Sequence, residues 1–175
     1  MSPPELIELD QADFITIDTI GPPGQRTFYL QAAQDDTLIT LIIEKEQAAA
    51  ISVAISNILE QLGEVGGETE PASLDLVHPV EPLFRVGRLG LGYDQGRKML
   101  VVIAEETATE EKSQRTRVHI WASQVQMAAL ARKAATVVAS GRPICPLCGE
   151  PIAPGEEHVC VRGNGRKRLY ETEGD

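Results

Sequence analysis

The stretch that decides the fold runs from Arg26 to Gly63 and reads RTFYLQAAQDDTLITLIIEKEQAAAISVAISNILEQLG. Two apolar, partly β-branched runs, Arg26–Ala33 and Thr37–Glu44, flank a short acidic turn, which is typical of a hairpin. Apolar residues then recur at helical spacing from Glu44 to Gly63, and glycine commonly ends helices. Before this stretch, Asp13–Gly21 predicts one more strand. The predicted order is therefore three strands followed by a helix.

The second half of the chain repeats this order. Its predicted strands are Phe84–Tyr93, Arg97–Glu105 and Arg115–Ala122, and its predicted helix is Ser123–Ala139. The helix opens with Ser123 and, three residues later, Gln126, the form of a capping box. The sequence thus predicts two βββα units.

Two offsets align these halves, which favours an internal duplication. An offset of about 71 aligns strand positions, and one of about 79 aligns helix positions. The aligned pairs are Gly21 with Gly92, Arg26 with Arg97 and Leu30 with Val101 at the first offset, and Gln47 with Gln126, Ala49 with Ala128 and Ile51 with Leu130 at the second.

A unit of about 50 residues buries too little surface to form a good core alone, so the two units are expected to share one. The predicted fold is α+β: two pseudo-symmetric βββα repeats, with an antiparallel sheet covered by both helices, and a C-terminal zinc-knuckle hairpin. The expected segments are a first repeat (1–63), a linker rich in proline and glycine (64–82), a second repeat (83–140), the knuckle (141–165) and a charged tail (166–175).

The composition excludes several classes of protein. The 175 residues carry 16 Lys and Arg against 26 Asp and Glu, a net charge of −10, which argues against wholesale coating of nucleic acid. No run approaches the roughly 18 apolar residues of a membrane helix. The acidic N-terminus lacks the basic and apolar regions of a secretory signal. We therefore expect a cytoplasmic protein.

The three cysteines cluster near the C-terminus, within the pattern C-x2-C-x9-H-x-C. Thiolates two residues apart hold one tetrahedral ion when the chain turns tightly between them, and sulfur with imidazole favours zinc. The expected cofactor is a structural zinc, because all four positions are filled by protein. The predicted ligands are Cys145, Cys148, His158 and Cys160. Two alternatives stay open: Glu156 or Glu157 as the fourth ligand, or a redox pair of Cys145 and Cys148.

Four stretches carry a family resemblance: RTFYLQA (26–32), EKEQ (44–47), FRVG (84–87) and RPICPLCGEPIAPGEEHVCVRGNG (142–165). On them the chain resembles the uncharacterised bacterial "repeat protein" family, domain of unknown function 3090. The resemblance implies a conserved cytoplasmic protein with a C-terminal knuckle and no assigned activity. It also implies a pathway shared with a histidine-phosphatase-like protein and a kinase-like protein. The family's proline after the last cysteine is Val161 here, which leaves the ligands in place.

Three functions are compatible with these features. The first is a binding or adaptor protein with an unknown protein partner and no catalytic residue. The second is an enzyme with a site between the repeats, near Arg85, Arg97 and His119. Gln47 and its repeat-mate Gln126 are candidates for a pseudo-symmetric binding cleft. The third, a nucleic-acid module, would use the knuckle and the basic residues of the tail, and is disfavoured because acidic residues follow them.

Smaller patterns belong to the second half. His119 and Trp121 alternate with apolar residues and are predicted to share one sheet face, with His119 as a hydrogen-bonded sheet residue rather than a general base. The glycine-rich run Gly87–Gly92 favours a bent strand over a phosphate loop, because no helix follows it, although a ligand groove there stays an alternative. Exposed strand edges make a homo-oligomer a further expectation.

Overall fold

A computed structural model describes residues 5–22, 24–63, 73–111, 114–140 and 147 of the chain. The chain divides into two compact units. The first consists of Met1–Ile20 and Thr27–Val138, and the second of Gly21–Arg26 and Ala139–Asp175. In the second unit, Arg26 donates through Nη1 to the Ser140 hydroxyl (2.6 Å) and carbonyl (3.2 Å).

Within the described residues the fold is a mixed α+β arrangement of seven strands and two helices. In chain order they are β1 (Glu5–Leu9), β2 (Phe14–Ile20), β3 (Thr27–Gln34), β4 (Thr37–Ile43), α1 (Lys45–Leu62), β5 (Phe84–Asp94), β6 (Met99–Glu106), β7 (Thr116–Ser123) and α2 (Gln124–Ala139). The predicted strands and helices are confirmed to within two residues at each end. Gly63 ends α1 at a φ of 87°, a backbone angle that glycine adopts without strain.

One strand was not predicted. The segment ELIEL forms β1 and pairs in parallel with β7, from Glu5 beside Thr116 to Leu9 beside Ile120. Five residues with two charged side chains have little strand signal of their own, so their pairing with β7 decides their conformation.

The strands form one sheet in the order β1-β7-β6-β5-β4-β3-β2. The pairs β1–β7 and β4–β5 are parallel, and the other four are antiparallel. The expectation of an antiparallel sheet was therefore wrong at two places. In each parallel pair, the last strand of one half (β4 or β7) lies beside the first strand of a half (β5 or β1).

The sheet is strongly curved, because β1 and β2 lie at its two ends and yet only Asp10–Asp13 separates them. Seven flat strands would place these ends about 29 Å apart, whereas the connector reaches at most about 17 Å. Two hydrogen bonds show the approach directly. The Ala12 amide donates to the Trp121 carbonyl of β7, and the Asp13 amide donates to the Ala33 carbonyl of β3, both at 2.8 Å.

The core lies between the inner side of the curved sheet and the helices. Two rows of paired residues fill it, Ile17–Leu30–Leu41 on β2–β3–β4 and Leu91–Val102–Ile120 on β5–β6–β7. The helices contribute buried residues at helical spacing, among them Ile51 and Ile55 on α1 and Met127 and Leu130 on α2. None of the described helices is both long enough and apolar enough to cross a membrane.

The core rows correct one of the two predicted alignments. Leu30 faces the core, whereas Val101, its partner at an offset of 71, lies outside the core cluster; the residue in the matching row is Val102. A shift of one residue moves a strand side chain to the other face, so it is Leu30 and Val102, 72 positions apart, that hold matching places in the two rows. The helix offset of 79 brings together residues in matching places, since Ile51 and Leu130 are both buried.

Candidate functional site

The outer side of the first half is covered by the chain itself. Thr16, Gln31 and Thr40 lie side by side on β2, β3 and β4, and all three are buried. Gln31 donates through Nε2 to the Val77 carbonyl (3.0 Å) and the Thr40 hydroxyl (3.0 Å), and its Oε1 accepts from the Val77 amide (2.7 Å). The Thr16 hydroxyl donates to the Leu74 carbonyl. The linker before β5 therefore lies across this outer side and satisfies its polar groups.

The matching outer side of the second half presents different chemistry. Because the core residues of β6 and β7 alternate with their neighbours, Val101, Ile103, His119 and Trp121 face outward. They lie beside Gly90 and Gly92 of β5. We call this surface the Arg97–Trp121 face; it comprises Gly90, Gly92, Arg97, Val101, Ile103, Arg117, His119 and Trp121.

Arg97 is held over the ring of Trp121. The guanidinium carbon lies 4.0 Å from the ring centroid, within cation–π distance, and Nη2 donates to the Asp10 carbonyl at 2.6 Å. The turn that places Arg97 is closed by Asp94, whose Oδ1 accepts from the Gly96 and Arg97 amides. Below the ring, Val101 is paired with Trp121 and only 5% exposed although it is outside the core.

Two further basic residues flank this stack on β7. Arg117 binds Glu105 at 2.6 Å, and the Nδ1 of His119 lies 3.6 Å from a carboxylate oxygen of Glu8 on β1. Arg97, Arg117 and His119 thus lie on one surface, where Glu105 and Glu8 accompany the last two.

Two nitrogen donors of this face are buried without an acceptor among the described residues. They are Nε of Arg117 and Nε1 of Trp121. A buried donor left unpaired costs about 1–3 kcal/mol.

The floor of the face is flat at β5, where Gly90 and Gly92 have no side chains. A Cβ added at Gly92 would lie 3.1 Å from Cγ1 of Val101, closer than most contacts of this kind. Glycines in a strand often mark a close approach of another backbone.

The structure divides the five predicted ligand residues among three places. Arg97 and His119 share the face just described. Arg85 pairs at 2.6 Å with Glu44 at the start of α1, where both side chains are 55% exposed. Gln47 lies beside this pair, and Gln126 lies at the start of α2. The convergence on one pocket that an enzyme between the repeats requires is absent from the described residues.

Gln47 and Gln126 make equivalent structural bonds. Each accepts at 2.8 Å from the amide three residues earlier, of Glu44 and Ser123, and so caps its helix. Each also donates to a carbonyl on the strand side: Gln47 to Val86 (3.3 Å) and Gln126 to Ala12 (2.7 Å). These bonds account for both amides without a ligand.

A family model described as "Protein of unknown function (DUF3090)" matches residues 7–160, which span most of the chain. The chain belongs to the DUF3090 family. This confirms the resemblance drawn from the quoted stretches. Searches of curated proteins and of solved structures found no match.

In this DUF3090 protein the predicted zinc ligands Cys145, Cys148, His158 and Cys160 all lie outside the described residues, although within the family match. The basic tail after Cys160 lies outside them too. The described residues contain no group of three or more His, Cys, Asp or Glu placed to hold a metal ion. The zinc site therefore stays a prediction.

Sequence reasoning placed His119 and Trp121 on one face, which is confirmed by their alternation with Val118 and Ile120 in the core. It missed the contact between Arg97 and Trp121, because 24 positions separate them and no local pattern marks such a contact. It also missed the hydrogen bonds between Gln31 and Val77. The signal available was an amide side chain in the middle of an apolar strand.

Proposed function

We propose that this DUF3090 protein is a non-enzymatic cytoplasmic adaptor that binds a protein partner through the Arg97–Trp121 face. The observation that carries the proposal is the stack of Arg97 on Trp121, on the outer side of the sheet at β7. Trp and Arg are the residue types that contribute most to binding at protein interfaces. Their neighbour Ile103, which is half-buried, supplies apolar contact.

We infer in addition that the body arose by internal duplication. Both halves follow the order of three strands and a helix, and their core rows pair in the same pattern. Where the helices meet, the Ser52 hydroxyl donates to the Ala131 carbonyl at 2.7 Å. These two positions are 79 apart, the helix offset, so equivalent residues face each other as a pseudo-twofold axis requires.

A structural zinc held by Cys145, Cys148, His158 and Cys160 is proposed to stabilise the C-terminal hairpin. A segment of about 20 residues buries too little apolar surface to fold without such support. The thiolate-rich set C-x2-C-x9-H-x-C supports zinc over magnesium or calcium.

The first partners to test are the histidine-phosphatase-like and kinase-like proteins that the family resemblance implies. A matching partner surface would carry acidic and carbonyl oxygens, opposite Arg97 and Arg117. Because the basic groups are few, the association should weaken with salt without disappearing.

The experiment is photocrosslinking in cells with benzoylphenylalanine in place of Ile103, on the face, or of Val53, which is 60% exposed on α1. We expect one discrete protein adduct at Ile103 and none at Val53. Adding Arg97→Gln should remove most of the adduct, while Lys98→Gln, which deletes the same charge one residue away, should preserve it. Equal adducts at both crosslinker positions, or no adduct at Ile103, would contradict the adaptor proposal.

A further inference from the structure

A groove lies between α1 and β5, next to the Arg97–Trp121 face, with which it shares Gly90. Its volume is about 170 Å³, and it is lined by Gln47, Ala50, Ile51 and Ala54 of the helix and by Leu89, Gly90 and Leu91 of the strand. It is smaller than the roughly 300–1,000 Å³ typical of small-molecule sites. Its apolar lining and its open, elongated setting beside a strand suit a few residues of an extended chain instead.

The strand side of the groove is an unpaired edge. β5 pairs with β4 only at Phe84 and Arg85, and from Val86 onward it pairs with β6 alone. Among the described residues, no strand pairs with the opposite edge of Leu89–Tyr93. In an antiparallel pair, alternate residues turn their N–H and C=O groups away from the partner, so this edge offers backbone donors and acceptors to an incoming strand.

The place that corresponds to this groove in the first half is occupied by the chain's own linker. By strand pairing Gly90 matches Thr16, and by the helix offset Ala54 matches Lys133. Thr16 donates its hydroxyl proton to the Leu74 carbonyl. Lys133 lies 3.2 Å from a carboxylate oxygen of Asp18 on β2 and 3.9 Å from one of Asp75 in the linker.

Two of the residues that hold the linker in the first half, Thr16 and Lys133, are therefore replaced by the smallest side chains in the second, whereas Gln31 corresponds by strand pairing to Ile103. Glycine at 90 and alanine at 54 remove the hydroxyl and the ammonium group and leave the space open. Ala50, one helical turn before Ala54, extends the same small-residue lining.

We propose that the α1–β5 groove binds an extended segment of a partner protein, which adds to the free edge of β5 as a further strand. This mode of recognition takes its affinity from backbone hydrogen bonds and its specificity from alternate side chains. The groove side is apolar, so the segment carries apolar residues at alternate positions, as the linker does at Leu74 and Leu76. The inference rests on the proposed duplication for the form of the occupant. The groove adjoins the Arg97–Trp121 face at Gly90, but it does not include Arg97 or Trp121.

The test uses the full-length protein and a synthetic heptapeptide, SLDLVHP, with the sequence of residues 73–79. Amide hydrogen exchange is followed with and without millimolar peptide. We expect exchange at the edge amides of Leu89–Tyr93 to slow by about tenfold, as new backbone hydrogen bonds form. A peptide that is N-methylated at the alternate amides facing β5 should lose this effect. A peptide that is N-methylated at the amides facing away from β5 should retain it.

Matched variants locate the site. Ala54→Phe fills the groove and should abolish the protection, and Ala50→Glu should weaken it by about tenfold, because a charge would then lie in apolar surroundings. Val53→Phe places the same side chain on an exposed part of the same helix and should leave the protection unchanged. The proposal would be overturned if no protection appeared, or if neither methylation pattern changed it. It would also be overturned if protection were confined to β2 and β3, or if Val53→Phe removed it as fully as Ala54→Phe. Because Ile103 is paired with Gly90, the two proposals are separated by their variants: loss of the crosslink in Arg97→Gln reports on the adaptor face, and loss of protection in Ala54→Phe reports on the groove.

Discussion

Replacing Gln126 by alanine should destabilise the protein, although the sequence also marks this residue as a candidate for ligand binding. The substitution removes two neutral hydrogen bonds, from the Ser123 amide (2.8 Å) and to the Ala12 carbonyl (2.7 Å). At about 1 kcal/mol each, the loss is about 2 kcal/mol. Ala12 is only 3% exposed, so water compensates its carbonyl poorly.

Gln47→Ala is the matched variant in the other half. Its second bond, to Val86, is longer at 3.3 Å, so the expected loss is smaller, about 1 to 1.5 kcal/mol. Gln61→Ala, at an exposed position of α1, serves as the control and should change stability by less than about 0.5 kcal/mol.

The assay is urea unfolding followed by circular dichroism. With an unfolding slope of about 2 kcal/mol per molar urea, Gln126→Ala should lower the midpoint by about 1 M. The midpoints should fall in the order Gln61→Ala, Gln47→Ala, Gln126→Ala. If Gln126→Ala and Gln47→Ala both have the same urea midpoint as the control, the glutamines do not hold the helix starts to the strands. Ligand binding would then be the better explanation of these residues.

Three further outcomes follow from the same structure. Ser52→Ala should cost about 1 kcal/mol, because it removes the bond to Ala131 between the helices, and urea unfolding measures it; an unchanged midpoint would mean that this contact contributes nothing. Gln31→Leu keeps the side-chain volume but removes the hydrogen bonds to Val77, so limited proteolysis should cut the linker faster than in the parent protein. An equal cleavage rate would show that other contacts hold the linker. Arg97→Gln should make Trp121, the only tryptophan, more accessible to acrylamide quenching, while Lys98→Gln should not; equal quenching in both variants would argue against the stack.

Local patterns were enough for most of the fold. The strands β2 to β7 and both helices follow from apolar periodicity and from turn residues, which act within a few positions. β1 could not be found this way, because five residues with two glutamates become a strand only by pairing with β7, more than a hundred positions away. The parallel pairs and the curvature depend on the same long-range contact.

The strand register shows a subtler limit. The offset of 71 aligned similar residues, but the face on which a strand residue lies depends on its register with its neighbours. The bulge between Val86 and Arg88, which shifts the register within β5, leaves no clear mark in a run so rich in glycine. The pairing of Leu30 with Leu41 and of Val102 with Ile120 places Leu30 and Val102, 72 positions apart, in matching rows.

The site was predictable only in part. Alternation along β7 placed His119 and Trp121 together, and the spacing of Ser123 and Gln126 predicted a capping box. The same spacing of Glu44 and Gln47 at the first helix carries the equivalent signal, and it explains why these glutamines are better understood as helix caps than as a binding cleft. The stack of Arg97 on Trp121 joins a turn to a strand and has no pattern that a single sequence reveals.

Native mass spectrometry under reducing conditions tests most directly whether this protein is an adaptor that binds its partner through the Arg97–Trp121 face and holds a structural zinc. The protein is isolated from its own cells with its partner bound, as the parent, Cys145→Ser and Trp121→Ala. We expect one zinc per chain and one bound protein in the parent, loss of zinc in Cys145→Ser, and loss of the protein with zinc retained in Trp121→Ala. A parent chain without zinc, with Cys145 and Cys148 joined as a disulfide, would contradict the structural zinc. A partner retained equally by Trp121→Ala would contradict binding through the Arg97–Trp121 face.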